Sequence, residues 1–480
     1  MSHRHRRETR REFIRDIGIG ATGIILAPGL VAGCAKRLSS GDTTGWNLVP
    51  HILARIKTPS FPSRDFAITD FGAVADGKTD CTAAFAAAIG KCAASGGGRV
   101  LVPAGRFLTG AIHLKSNVNL HVSEGATILF STDPRHYLPT VLTRFEGVEV
   151  MNYSPLIYAI DCENVAVSGT GTLDGQADND HWWPWKGNAA FGWKTGAPRQ
   201  NEAREKLFGM AERGVAPSER QFGDGGYLRP SFIQTYRCRN VLIENVKIVN
   251  SPMWEIHPVL STNVTVRGVH ISTHGPNNDG CDPESCRDVL IERCHFDTGD
   301  DCIAIKSGRN ADGRRIAVPS ENIIVRNCEM RDGHGGVTIG SEISGGVRNV
   351  FAEACTMDSP NLDRALRFKN NAARGGLLEH VYMRDVTVGQ VADAVLQIDY
   401  LYEEGPKGAF TPVVRDVEMR NVTSRKSQYA LYLRGIERGV IADVRIIDCS
   451  FENVAKPNVI ERVSGLALRD TRINGQVVSA

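Results

Sequence analysis

The sequence predicts an all-β chain wound as a right-handed parallel β-helix, a solenoid closed at its start by an N-terminal capping helix. Two observations carry this. A strand-like segment opening on Asn, Asp or His recurs at Asn240, Asn263, Asp288, Asn322, Asn349, His380, Asp416 and Asp443, with starts 23, 25, 34, 27, 31, 36 and 27 residues apart. Periods of this length with a constant strand core and variable loops mark stacked repeat units. The second observation is that chemically capable residues share offsets within the repeats. Asp300 lies 12 residues after Asp288, and His334 lies 12 after Asn322. Asp279 lies 16 after Asn263, and Arg367 and Lys369 lie 18 and 20 after Asn349. Stacked strands are roughly 4.8 Å apart, so four consecutive coils bring these side chains to one patch.

The elements follow in chain order. Residues 1–34 read as a targeting segment: Thr9-Arg10-Arg11-Glu12-Phe13-Ile14-Arg15 resembles a twin-arginine export signal, and a glycine-containing apolar run follows from Ile17 to Val31. Val31-Ala32-Gly33-Cys34 then resembles a bacterial lipobox, which makes Cys34 the expected lipidation site. No later run is long and apolar enough for a membrane-spanning helix, so the only membrane contact expected is that N-terminal lipid anchor, on a periplasmic or cell-surface protein. Residues 35–64, with Ser, Gly, Thr and Pro, read as a linker, and a single catalytic domain is expected over 65–480.

Within that domain Phe85, Ala88, Ile89 and Cys92 have the spacing of one buried helix face, with Asp80 or Thr82 to cap its start and Gly96-Gly97-Gly98 to end it. Such a helix covers strand edges at the open end of a solenoid. The first coils are expected at 100–102, 111–114 and 117–121. From Asp174 to Arg229 the repeat breaks, and this insertion holds Trp182, Trp183, Trp185 and Trp193, whose faces suit sugar rings and are expected in the cleft wall.

Composition narrows the function. A net charge of +2 argues against a nucleic-acid partner. Eleven cysteines besides Cys34 cannot all pair within the chain, and Cys294, Cys328, Cys355 and Cys449 each lie six residues after a repeat start, as stacked buried hydrophobes would. They show no metal-ligand spacing, so neither a metal nor a cofactor is expected.

The residues of the patch suit glycoside hydrolysis, which needs one protonated carboxyl group and one ionised one. Asp279, Asp300 and Asp301 supply the carboxyls, and crowding raises the proton affinity of one of them. Adjacent strand residues face opposite ways, so Asp300 and Asp301 share the cleft only if the backbone turns, which Gly299 permits. His334, at the offset of Asp300 on the next coil, is placed to hydrogen-bond it. Arg367 and Lys369 lie on one face with Phe368 turned inward, and two cations beside a sugar site point to a carboxylate-bearing sugar.

Asn277-Asn278-Asp279, Gly299-Asp300-Asp301, Gly333-His334-Gly335 and Arg367-Phe368-Lys369 together resemble the four signature motifs of the polygalacturonase family of glycoside hydrolases, family 28, and in particular its bacterial exo-acting members. Asn278 and Phe368 depart from the family's Thr and Ile. The resemblance implies Asp300 as the acid, Asp279 and Asp301 as the pair that holds and deprotonates water, and Asn277, Arg367, Lys369 and Tyr400 as substrate-binding residues, with Tyr402 competing for the role of Tyr400 and core packing the alternative for it. It implies cleavage of α-1,4-galacturonosyl linkages of polygalacturonate or pectin. Exo action is expected from the long insertion, and inversion from a carboxyl separation of roughly 6.5 to 9.5 Å. The alternatives are a hydrolase of rhamnogalacturonan or another pectic backbone and, in a different class, a non-catalytic glycan-binding β-helix. The latter has no need of three aspartates and a histidine in register.

Overall fold

The computed structural model describes residues 44–439 and 441–480. The export signal and Cys34, with the beginning of the expected linker, lie outside the described residues. The rest is a right-handed parallel β-helix. One long sheet stacks Val165, Val241, Val264, Val289, Ile323, Val350, Val381, Val417 and Val444 in direct register, all buried.

Each repeat start has a local cause. Asn240, Asn263, Asp288, Asn322, Asn349, His380, Asp416 and Asp443 all adopt φ between 54° and 59°. Asn and Asp tolerate this left-handed conformation best among residues with a side chain. Their amides also stack: Asn240 Nδ2 donates to Asn164 at 2.9 Å, Asn263 to Asn240 at 2.6 Å, and Asn349 to Asn322 at 3.0 Å. The sharp turn between sheets and the coil-to-coil tie thus come from one residue type.

The capping helix is present as α2, Thr82–Ala94, with Phe85, Ala88, Ile89 and Cys92 buried. Asp80 Oδ1 accepts from the Thr82 amide at 2.9 Å, and the helix ends before Gly96 and Gly97, both in the left-handed region. The cysteines at +6 are buried and free, as expected of stacked hydrophobes.

Part of the expected linker is folded. Residues 45–55 form a short 3-10 turn and α1, Val49–Arg55. Val49, Ile52 and Ile56 pack on Leu290, Ile324, Phe351 and Tyr382, which face out of the coil. Burying Ile52 alone contributes roughly 2 kcal/mol. Arg55 also pairs with Asp288 at 2.7 Å, and Asn263 exchanges two hydrogen bonds with the Lys57 backbone. This segment is a strap along the coils.

The insertion folds as 3-10 turns at Trp183–Lys186 and Ala189–Phe191 and as α3, Asn201–Glu212. Trp182 is buried among Tyr137, Tyr153 and Trp185. Trp183 donates to the Ser251 carbonyl, and Trp193 to the Ala197 carbonyl. The tryptophans therefore fasten the loop, and it is charged residues of the insertion that reach the cleft.

Candidate active site

The patch predicted by offset exists. Gly280 stacks on Asp301 through backbone bonds, and Ala304, Thr338 and Arg367 are in register on successive strands, side chains outward. Asp300 and Asp301 lie in the turn between strands His295–Thr298 and Ile303–Ile305, so both reach the cleft. Gly299 is needed for closeness: a Cβ there would come within 2.5 Å of the Gly275 carbonyl. At Gly335 it would lie 2.9 Å from Asp301 Oδ1. Phe368 is buried in the core, as alternation requires, and Asn278 uses its amide fully, accepting from Thr273 and Gly275 and donating to the Ser251 and Met253 carbonyls. The departure from Thr therefore leaves the turn well bonded.

Carboxylate oxygens of Asp279, Asp300 and Asp301 lie within 4.8 Å of one another. That is tighter than the gap expected above, because one coil spacing separates them and all three side chains converge. Each carboxyl is held differently. Asp301, fully buried, accepts from Lys369 Nζ at 2.5 Å, Thr338 Oγ1 at 2.9 Å and Arg367 Nη1 at 3.2 Å. Burial pushes its carboxyl up, but the two cations outweigh this and hold it below the usual range.

His334 Nδ1 lies 2.9 Å from Asp300 Oδ1. Burial pushes Asp300 up too, yet the His334 hydrogen bond and charge, with Lys369 and Arg367 behind, hold it well below the usual carboxylate range. The same bond raises His334 to about 9. Asp279 goes the other way: burial and the Asp300 charge push it up to about 8. Its Oδ2 is 3.3 Å from Lys306 Nζ, while Oδ1 accepts no hydrogen bond from the protein. Of the three carboxyls, Asp279 is therefore the one whose proton affinity is raised. By spacing these oxygens could gather a cation, but Lys369, Arg367, Lys306 and His334 already supply positive charge.

Tyr400, expected at the sugar, is a core residue with its hydroxyl unbonded and buried. The strand Ala394–Asp399 ends just before it, and the chain turns so that Tyr402 faces the site instead, its ring 5.5 Å from Lys369 Nζ and 5.7 Å from the Arg367 guanidinium. Asn277 does line the site, and its Oδ1 accepts from Lys186 Nζ at 2.8 Å and Arg229 Nη2 at 2.9 Å.

Sequence reasoning missed several lining residues. Lys306 Nζ sits on the cleft floor, 4.4 Å from the Trp254 ring centre and 3.5 Å from Glu342. Its signal was available, since it follows Ile305, which is in register with Ile339 and Phe368, just as Lys369 follows Phe368. The closing wall had no such signal. It combines Glu146 at the tip of the hairpin Val141–Phe145/Val148–Asn152, Arg204 on α3 and Glu403, with Arg309 paired to Glu403 behind them. Arg204 pairs with Glu146 at 2.5 Å, and the Phe208 ring lies between Arg204 and Arg309, 4.5 and 4.3 Å from its centre. Arg309 continues to Glu342 and Glu403, each at 3.5 Å. The result is a cavity of about 220 Å³ lined mainly by charged groups, with Trp254, Asn277, Ser341 and Tyr402 among them.

Residues 218–463 match the family model described as glycosyl hydrolases family 28. Residues 66–123, at the capped end and away from the aspartates, match one described as rhamnogalacturonase A/epimerase, pectate lyase-like. Among solved structures, a hyperthermoactive exopolygalacturonase from Thermotoga maritima is 52% identical, with a TM-score of 0.88 over 90% of this chain and 96% of its own. A probable polygalacturonase of Vitis vinifera is 29% identical over 81% of this chain and 74% of its length. An exo-poly-alpha-D-galacturonosidase of Dickeya chrysanthemi is 28% identical over 75% of this chain and 62% of its length.

Proposed function

The chain belongs to glycosyl hydrolase family 28, and from that premise we propose that it is an exo-acting polygalacturonate hydrolase, cleaving α-1,4-galacturonosyl linkages at a chain end with inversion, a stereochemistry that rests on the three donors pinning Asp301 and not on the carboxyl separation. The observation that carries this reading is the placement of Arg367 and Lys369 beside three clustered carboxyls in a cavity walled at one end. The cations suit a sugar carboxylate. The Thermotoga relative is an exopolygalacturonase and the Dickeya relative an exo-poly-alpha-D-galacturonosidase, which supports exo action.

In this reading Asp300 protonates the leaving oxygen, and Asp279 with Asp301 holds and deprotonates the attacking water. The resting proton is on Asp279, so binding must move it. A substrate carboxylate on Arg367 and Lys369 offsets the charges that, with His334, hold Asp300 low, and the proton affinity of Asp300 rises. Asp279 then gives up its proton and becomes the base, with its unbonded Oδ1 available to a water. Export and lipid anchoring belong to the same reading and rest on Arg10, Arg11 and Cys34 in the sequence. The test is the action pattern on polygalacturonate. Reducing ends should accumulate with little loss of viscosity; rapid thinning at few cuts would show internal cleavage and remove the exo assignment.

A further inference from the structure

The insertion delivers to the cavity a cation that forms no ion pair within 4.0 Å among the described residues. Lys186 Nζ is bonded to Asn277 Oδ1 at 2.8 Å, and among the described residues no Asp or Glu oxygen lies within 4.0 Å of it. Behind it Arg229, fully buried, is held only by neutral oxygens: Gln200 Oε1, the Pro252 and Pro276 carbonyls, and the same Asn277 Oδ1. Burial pulls Lys186 below its ordinary value and Arg229 down to about 10, as befits positive charge short of a partner. The Asn277 oxygen is thus used by two cations, and its Nδ2 makes no hydrogen bond among the described residues.

This differs from the other cationic pair. Arg367 and Lys369 share the single carboxylate of Asp301, so of their two positive charges one remains for a substrate carboxylate. Along the solenoid the two sets fall on opposite sides of Asp300, with Asn277 on the coil before it and Arg367 and Lys369 two coils after it. Partly buried charge without a counter-ion is costly to keep. In a cavity it marks a place for a ligand anion.

We propose that Lys186, with the Asn277 amide, binds the carboxylate of the galacturonosyl unit across the scissile bond from the unit held by Arg367 and Lys369. The enzyme thereby reads charge on both sugars of the bond it cuts. This rests on the polygalacturonate reading and adds a specificity residue to it, one supplied by the insertion rather than by the coils.

Digalacturonide and its two monomethyl esters, each esterified on a different sugar, provide the test. Wild type should discriminate against both esters. Lys186→Met should raise KM for the diacid between about 10- and 100-fold, the worth of a charged hydrogen bond, with little change in kcat. It should also lose discrimination against one ester while keeping it against the other, and Lys186→Arg should restore much of the loss. Asn277→Asp, which gives Lys186 an internal partner, should raise KM in the same way without emptying the site. Unchanged KM in Lys186→Met, or wild-type discrimination against both esters, would overturn the assignment. Calorimetric binding of galacturonate against galactose separates the levels. A wild type that neither cuts the diacid nor prefers galacturonate refutes the polygalacturonate reading itself, and this inference with it.

Discussion

The ion pair between Lys369 and Asp301 offers a quantitative check on the site. The charges are 2.5 Å apart, and both side chains are nearly or fully buried. At an effective dielectric of about 20 their attraction is about 7 kcal/mol, and desolvation offsets much of it. Removing one member of a buried pair costs about 3–5 kcal/mol. Arg367 at 3.2 Å and Thr338 at 2.9 Å still hold Asp301, so Lys369→Met should lose about 3 kcal/mol, the lower end of that range. Asp301→Asn leaves the ammonium stranded, and the double variant should recover part of the loss, a coupling of about 2 kcal/mol.

The pH dependence has a fixed sign. The Asp301 carboxyl is held below its ordinary value of 3.8. Its contribution is therefore fully present above that value and lost as pH falls through the lower, folded one. The Lys369→Met deficit should be full at pH 7 and shrink in acid. Denaturant unfolding of the four proteins at two pH values measures both quantities. Additivity within about 0.5 kcal/mol, or a deficit that grows in acid, would refute the pairing.

Other outcomes follow from the same geometry. Joint Arg204→Ala and Phe208→Ala substitution removes the centre of the wall, and viscosity loss per bond cut should rise severalfold; an unchanged action pattern would place the chain-end block elsewhere. His334→Gln should lower kcat/KM by about 100-fold, at the low end for proton-transfer groups. Wild-type activity should fall as pH rises through the Asp279 value of about 8, because the proton that binding passes to Asp300 is then lost. Proton NMR before mutarotation should show the β anomer of the released hemiacetal first, because Asp301 is pinned by three donors and Asp279 keeps an unbonded Oδ1 for the attacking water; an α anomer first would mean one of them reaches the anomeric carbon. Cys34→Ser should move the protein from the membrane fraction to the soluble one, and unaltered fractionation would exclude the lipid anchor.

What the sequence revealed of this molecule follows its geometry. In a stack of coils, equal offset means proximity, so Asp300 and His334, each 12 residues after a repeat start, could be paired before any coordinates, and they meet at 2.9 Å. The Asx positions were visible for a physical reason, since one backbone conformation and one hydrogen-bond ladder favour the same two side chains. Offset reasoning weakens where the chain leaves the strand. Tyr400 and Tyr402 are two apart and would share a face if the strand continued, but it stops at Asp399, so one is core and the other faces the cations. The strap at 45–57 was hidden by its Pro and Ser surroundings, although Val49, Ile52 and Ile56 already had helical spacing. The insertion had no register to read. Its tryptophans looked like sugar platforms by composition alone, yet large apolar rings on a long loop first satisfy the loop's own need for a core. That leaves Lys186 and Arg204, which cannot be buried cheaply without a partner, as the residues turned toward the cavity. In an inserted loop of a solenoid, the charged residues are therefore the better guide to function, because the aromatic ones are already spent on folding it.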